Sequence, residues 1–285
     1  MFERAVICTD LTQSSASVVA CAGALGALGV HEVVLVHVID VASATSDGLP
    51  GSAVFERQAE ILESEGLAVA VDAALRYPAF EIEAVADRHG ADLIVAGSHR
   101  KGLYPSTFSG STSSDVVRIS TRPLLLVALE VLGSPAESRT ACSRLLACVL
   151  FLTDFSDRSE LASRYLVALA RKGLQKADLL HVVPIGERDP QARARTATER
   201  LDKLAARLAD DGVAATTRVA FGSPTTVASE RAGSGEHSLV IVAPHQPPQG
   251  SKSLDSVTSA VIRNTTAPVL VIPPNCDREP RLAGA

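Results

Sequence analysis

The sequence contains no tryptophan, a single methionine, three tyrosines and seven phenylalanines among 285 residues. With so few aromatics, any core must be filled by aliphatic side chains, which suits layered α/β architecture. Positive charge is also short: the net charge is −5 and the isoelectric point about 5.8. Sequence-independent nucleic-acid binding rests on many phosphate contacts from Lys and Arg, so this balance argues against it. The Arg-rich stretch 188–207 is interleaved with Asp189, Glu199 and Asp202 and reads as a solvated helix face. No apolar run reaches the ~20 residues of a membrane-spanning helix. The first strand, Arg4 to Cys8, follows the start without a signal-peptide core. The five cysteines (Cys8, Cys21, Cys142, Cys148, Cys276) are odd in number and contain no C-x-x-C pair. Neither a disulfide framework nor a zinc site is expected, but reduced thiols in a cytoplasmic protein. There is also no G-x-x-x-x-G-K-[ST], no G-x-G-x-x-G after an early strand, and no G-x-S-x-G nucleophile elbow. The paired acids of a receiver-like domain are missing too. Triad hydrolysis is thereby unsupported, and no enzymatic activity is expected.

What is present is a regular alternation. Hydrophobic residues make up 46% and charged residues 21%, the balance of a globular protein long enough for one large or two ordinary domains. Val6–Thr9 reads as a strand, followed by a helix from Asp10-Leu-Thr12 to about Leu28. Val33–Ile39 is too apolar to face water on either side and predicts a buried parallel strand. A helix over Phe55–Glu65, a strand at Ala68–Leu75, a helix at Pro78–His89 and a strand at Asp92–Gly97 follow. A helix from Ser111 to Ser120 and a strand at Pro123–Ala128 close the series. Glu130 to Ser143 reads as a linker.

Then the pattern restarts. Val149-Leu-Phe-Leu-Thr153-Asp154 repeats Val6-Ile-Cys-Thr9-Asp10, and Leu180-His181-Val repeats Val36-His37-Val. Leu239–Ala243 repeats Leu93–Ala96, and the run Val261 to Ile272 repeats Val117 to Val127. Matches in one order, at a period of about 145 residues, identify a duplication. Boundaries are expected at 1–129 and 145–274, with a linker at 130–144 and a tail at 275–285. Each half reads as β-α-β-α-β-α-β-α-β, a parallel sheet with helices on both faces. Ala197, Leu201, Leu204 and Leu208 supply one apolar helical stripe.

The loop after the fourth strand carries the functional signal. Gly97 is followed after two residues by Arg100 and after nine more by Gly110-Ser111-Thr112 at a helix start. Glycine permits close backbone approach, and free amides at a helix N-terminus suit an anion such as phosphate. The same residues also make ordinary strand-to-helix turns.

The spacing resembles the universal stress protein family, whose nucleotide-binding members carry G-x2-G-x9-G-[ST]. Arg100 stands where the second glycine would be, so close backbone approach is lost there. Its guanidinium, with Lys101 beside it, offers a direct phosphate contact instead; the alternative is a solvated basic loop. The resemblance spans nearly the whole chain and implies two tandem open five-stranded parallel sheets of order 3-2-1-4-5. It further implies pairing of the halves through their last strands, Pro123–Ala128 and Pro268–Pro273, as an intramolecular pseudo-dimer. Further homodimerisation stays open, and no protein partner is identified. The ligand crevice would lie between strands one and four. In the family, the acid after strand one, here Asp10, lies near the ribose and metal side; helix capping is its alternative role. Backbone at about Val38 to Val41 takes the adenine. The implied ligand is ATP, with or without Mg2+, in the first half only.

The second half has Pro244-His-Gln-Pro247 in place of the glycine loop and Asp255-Ser256 in place of Gly110-Ser111. Proline removes an amide donor and Asp255 puts negative charge where phosphate would sit, so this site is expected to be empty or adapted to another ligand. His37 and His181 fall at equivalent positions and read as core or edge histidines. His99 and His245 are given no role. The leading reading is a non-enzymatic stress-response protein binding an adenine nucleotide. An interaction adaptor with two degenerate sites and a slow ATP hydrolase are the alternatives.

Overall fold

The first half runs β1 (Arg4–Thr9), α1 (Gln13–Ala22), a 3-10 segment (Gly23–Leu28), β2 (Glu32–Ile39), α2 (Ser52–Ser64), β3 (Ala68–Leu75), α3 (Pro78–Arg88), β4 (Leu93–Ser98), α4 (Gly110–Ile119) and β5 (Leu124–Ala128). The second half repeats the series as β6 (Val149–Leu152), α5 (Asp157–Ala170), β7 (Lys176–Pro184), α6 (Pro190–Asp210), β8 (Ala214–Gly222), α7 (Pro224–Ala232), β9 (Leu239–Val242), α8 (Ser256–Asn264) and β10 (Val269–Val271). This computed structural model describes residues 1–39, 52–75, 77–98, 110–128, 139–140, 142–245 and 254–281.

The strands form one ten-stranded sheet of order β3-β2-β1-β4-β5-β10-β9-β6-β7-β8. Each half keeps the order 3-2-1-4-5, and every neighbouring pair is parallel except β5 with β10. At that seam Leu126 faces Val269, Leu125 faces Leu270 and Leu124 faces Val271. All these side chains are buried. Left as free edges, such apolar strands would invite intermolecular pairing, so joining them antiparallel removes two liabilities at once. The two open sheets expected from the repeat are therefore halves of one continuous sheet.

Alternation along the strands divides the core between two faces. Ile7, Val95, Leu125, Phe151 and Leu270 pack with α1, α2, α5 and α6 through Val18, Leu62, Leu166 and Leu201. Val6, Ile94, Leu126, Leu150 and Val269 pack on the other face with α3, α4, α7 and α8 through Ile82, Val117, Ala228 and Val261. Both cores run unbroken across the seam.

Two details depart from the sequence reading. The first helix does not continue smoothly to Leu28: after Ala22 the chain tightens into a 3-10 segment, Gly-Ala-Leu-Gly-Ala-Leu, and turns at Gly29 with φ 97°. Two glycines in six residues weaken α-helical propensity there. The thiols are not all reduced, because Cys21 of α1 is bonded to Cys142, with their Cα atoms 5.2 Å apart. Residues 129–138 of the linker lie outside the described residues, but Cys142 ties its far end to the first half. The tail is also anchored. Tyr165 donates to the Arg278 carbonyl at 2.7 Å, Phe2 stacks on Tyr165 at 5.8 Å, and Arg281 pairs with Glu3. Burial of the free Cys8 pushes its thiol up to about 12.

Candidate functional site

Because β2 and β4 flank β1 in a sheet whose chain order reverses there, the carboxyl ends of β1 and β4 mark the switch point at which open α/β sheets hold ligands. Ile7 pairs with Val95, so Thr9 and Gly97 leave the sheet at the same edge. Thr9 is fully buried and donates to Gln58 Oε1 at 2.7 Å, while Gln58 Nε2 donates to the Ser15 hydroxyl at 3.2 Å. This satisfied network fixes the floor. The chain then turns through Leu11, whose backbone is left-handed with φ 61°. Asp10 Oδ1 accepts from Thr12 N at 3.0 Å and Thr12 Oγ1 at 2.7 Å, holding the turn that starts α1. Its Oδ2 accepts no hydrogen bond among the described residues.

Gly97 is the penultimate residue of β4, and Gly110, Ser111 and Thr112 form the first turn of α4. Val38 lies near the end of β2, paired with Ala74. His99, Arg100, Lys101 and Ser109 lie outside the described residues. The structure thus brings the ends of β1, β2 and β4 to one edge, and Arg100 is not placed.

The second half builds the equivalent crevice with other chemistry. Asp154 Oδ1 accepts from Ser156 N at 2.9 Å and from the hydroxyls of Ser156 and Ser159. Burial alone would raise this carboxyl, but the Ser159 and Ser156 bonds, with nearby His245, hold it below the usual range. Phe155 repeats the left-handed turn at φ 62°. His245 Nε2 lies 2.6 Å from Asp154 Oδ2, so this loop histidine, given no role from sequence, meets an acid. The two are distant in sequence, and only the fold joins them. Asp255 does not stand as a free charge at a helix start: its Oδ1 caps α8 by accepting from Thr258 N at 2.9 Å. Leu152, Val182, Val242 and Val257 line the walls of a cavity of about 290 Å³.

His37 Nδ1 and His181 Nδ1 each lie 2.9 Å from the carbonyl oxygen of the last residue of the first strand's run, Thr9 and Thr153. Each therefore donates to backbone and ties strand two to strand one, a structural role shared by both halves.

A family model described as the universal stress protein family matches residues 1–128 and again 148–273. The chain belongs to the universal stress protein family. Among solved structures, a universal stress protein from Archaeoglobus fulgidus DSM 4304 superposes with a TM-score of 0.70 at 20% identity, covering 97% of this chain and 96% of that one. A putative universal stress protein from Pseudomonas aeruginosa UCBPP-PA14 gives 0.62 at 13% identity, covering 96% and 94%. No curated protein matches the chain. At these identities the structural likenesses speak to the fold, and they extend over both halves of this universal stress protein.

Sequence reasoning missed one buried centre behind the first crevice. Arg122, fully buried before β5, donates to the Ala91 carbonyl at 2.7 Å and to Glu83 Oε1 at 3.2 Å, and pairs with Asp87. It clamps α3 to the turn leaving α4. The repeat held the signal: the second half of this family member has Ala267 at the matching place, so an Arg there is not required by the turn. Among the described residues no cluster of three or more His, Cys, Asp or Glu side chains is arranged to hold a metal, and no helix is long and apolar enough to cross a membrane.

Proposed function

We propose that this universal stress protein is a non-enzymatic, cytoplasmic stress-response protein whose first half binds an adenine nucleotide, ATP. One contrast carries the reading. In the first half α4 opens on Gly110-Ser111, whereas in the second an aspartate side chain already occupies the amide at the start of α8. Helix-start amides and glycine backbone favour phosphate; a carboxylate repels it. Adenine would meet the backbone at Val38, and the phosphates would meet Gly97, Gly110, Ser111 and Thr112, with Arg100 adding charge. Mg2+ fits as a companion of the phosphates, since Asp10 keeps Oδ2 for it while Oδ1 holds the turn. A metal there would neutralise phosphate charge; the protein's own part is to bind and orient.

Titration of the intact chain with ATP and Mg2+ tests this. A single site is expected, lost when Gly110→Asp introduces the second half's acid into the first. If ATP gives no heat at millimolar concentration, the interaction-adaptor reading replaces it.

A further inference from the structure

One serine treats the acid after the first strand differently in the two halves. Ser15 and Ser159 stand at matching positions, five residues beyond Asp10 and Asp154. In the second half the Ser159 hydroxyl donates to Asp154 Oδ1 at 2.5 Å, beside the two bonds from Ser156. With His245 on Oδ2, both oxygens of that carboxylate are taken. In the first half the same hydroxyl turns away. Ser15 Oγ donates to the Thr12 carbonyl at 2.8 Å, and Asp10 accepts only from Thr12 among the described residues.

The cause lies on α2. Gln58 is 3% exposed; its Nε2 donates to Ser15 Oγ at 3.2 Å and its Oε1 accepts from Thr9 Oγ1 at 2.7 Å. A buried amide keeps its donor and acceptor engaged, because an unmade bond there is costly. Gln58 therefore pins the Ser15 oxygen, whose proton is left to the Thr12 carbonyl. The second half has no such amide. Beside Thr153 and Ser159 lies a cavity of about 170 Å³, walled by Phe151, Phe155 and Leu204. Arg200 of α6, on its rim, pairs with Glu160 and lies over the Phe155 ring. Nothing there holds Ser159 back from Asp154.

We propose that Gln58 is a positioning residue of the first-half site: by holding the Ser15 hydroxyl off Asp10, it keeps that carboxylate open to a donor from outside. The donor is an O–H group, either a metal-bound water or a sugar hydroxyl. The inference rests on the reading of the first half as a nucleotide site. Hydrogen bonds to a carboxylate are the strong ones, so an internal hydroxyl on Asp10 would compete directly with a ligand for the same oxygen. Gln58 is buried behind Thr9 and acts through Ser15. The two halves thus differ at the acid as well as at the glycine loop.

Gln58→Leu should release Ser15. A crystal structure of that variant without nucleotide should place Ser15 Oγ within hydrogen-bond distance of Asp10 Oδ1, the arrangement of Ser159 and Asp154. Calorimetric titration of the intact chain with ATP and Mg2+ should weaken by about 10-fold, the worth of one hydrogen bond to a charged group. Adding Ser15→Ala to Gln58→Leu should restore most of the affinity. A residue that merely braced the floor would behave oppositely, since deleting Ser15 removes further bonds from it. Gln58→Met, of glutamine's length, repeats the test if the leucine variant does not fold. The same titrations without Mg2+ separate the two donors: a loss confined to Mg2+ marks a metal-bound water, and an equal loss marks a sugar hydroxyl. Three results would overturn the proposal: Ser15 still on the Thr12 carbonyl in the variant structure, ATP affinity equal in parent and Gln58→Leu, or a loss deepened by Ser15→Ala. A parent that binds no ATP would sink the nucleotide reading instead, and the nucleotide-free structures would still decide whether Gln58 steers Ser15.

Discussion

Leu11 and Phe155 stand at the same place in the two halves and share a left-handed backbone, φ 61° and 62°. Each follows the aspartate that leaves the first strand, and each is a bulky residue where glycine or asparagine would be at ease. Such a conformation costs about 1–3 kcal/mol and persists only where the surroundings enforce it. The enforcement is the Asp turn: Asp10 bonds Thr12 and Asp154 bonds Ser156 in the same geometry. The two side chains differ in what they do. The Phe155 ring sits 4.7 Å from His181 and under Arg200 at 4.2 Å. Leu11→Gly should therefore change stability by under about 1 kcal/mol, relief of strain offsetting lost chain stiffness. Phe155→Gly should cost roughly 2–3 kcal/mol, because ring contacts go with it. Urea denaturation of the pair decides it, and equal losses would show that the ring contacts are immaterial.

Arg122 sets the second expectation. It is wholly buried and neutralised by Glu83 and Asp87, with the Ala91 carbonyl as a further acceptor. Arg122→Ala strands these acceptors and opens a cavity, a lesion of about 3–5 kcal/mol. The second half manages the same turn with Ala267, so the loss should shrink when Glu83→Ala and Asp87→Ala are combined with Arg122→Ala. A double-mutant cycle in denaturant with no coupling would contradict this.

These cases show where sequence reading stops. The duplication was legible because apolar alternation and the Thr-Asp, His and Pro landmarks recur in order. The β5–β10 seam was legible because Leu124–Leu126 and Val269–Val271 are too apolar for an edge. Gly97 and Gly110 were legible as a strand end and a helix start. The Cys21–Cys142 pair was not, since the partners are 121 residues apart and neither neighbourhood signals the other. Arg122 looked like any charged turn residue, and the meeting of His245 with Asp154 depends on β6 lying beside β9.

Two buried groups should shape stability against pH. A hydrogen bond from His237, together with Arg231, holds the Asp178 carboxyl below 3.8 against the opposing effect of burial. Its contribution is thus complete above the unfolded value of 3.8 and is lost as pH falls through the lower folded value. Burial likewise lowers His181 from 6.5, so its contribution is complete above 6.5 and declines as pH falls toward the folded value. Both act in one direction in separate windows. Urea midpoints should fall in two stages below neutrality, the upper stage vanishing in His181→Leu and the lower in Asp178→Asn. A midpoint that stays flat from neutral to mildly acid pH in the parent protein would contradict the His181 assignment.

The Cys21–Cys142 bond links α1 to the segment entering the second half, closing a long loop. Cross-links of this kind stabilise by about 2–4 kcal/mol, chiefly by restricting the unfolded chain. Reductant should lower the melting temperature of the parent protein and leave Cys142→Ser unchanged, with the variant melting where the reduced parent does. Equal response of both proteins would place the effect elsewhere.

The last expectation concerns Arg100, which replaces the glycine of the family's loop. If the first half holds ATP as proposed, either the Arg100 guanidinium contacts a phosphate or it obstructs the approach of the backbone. In the first case Arg100→Ala and Arg100→Gly both weaken ATP, the alanine variant by about 1.5–3 kcal/mol, the cost of a charge-assisted hydrogen bond. In the second, Arg100→Gly restores the family spacing and tightens binding. We expect the first, because Lys101 makes the loop cationic and Gly110-Ser111 is intact to receive the phosphates from the other side. The titration should also weaken with added salt in the parent and less so in Arg100→Ala, since a screened charge contributes less. Tighter binding by the glycine variant would reverse the assignment, and identical affinities for all three proteins would remove Arg100 from the site.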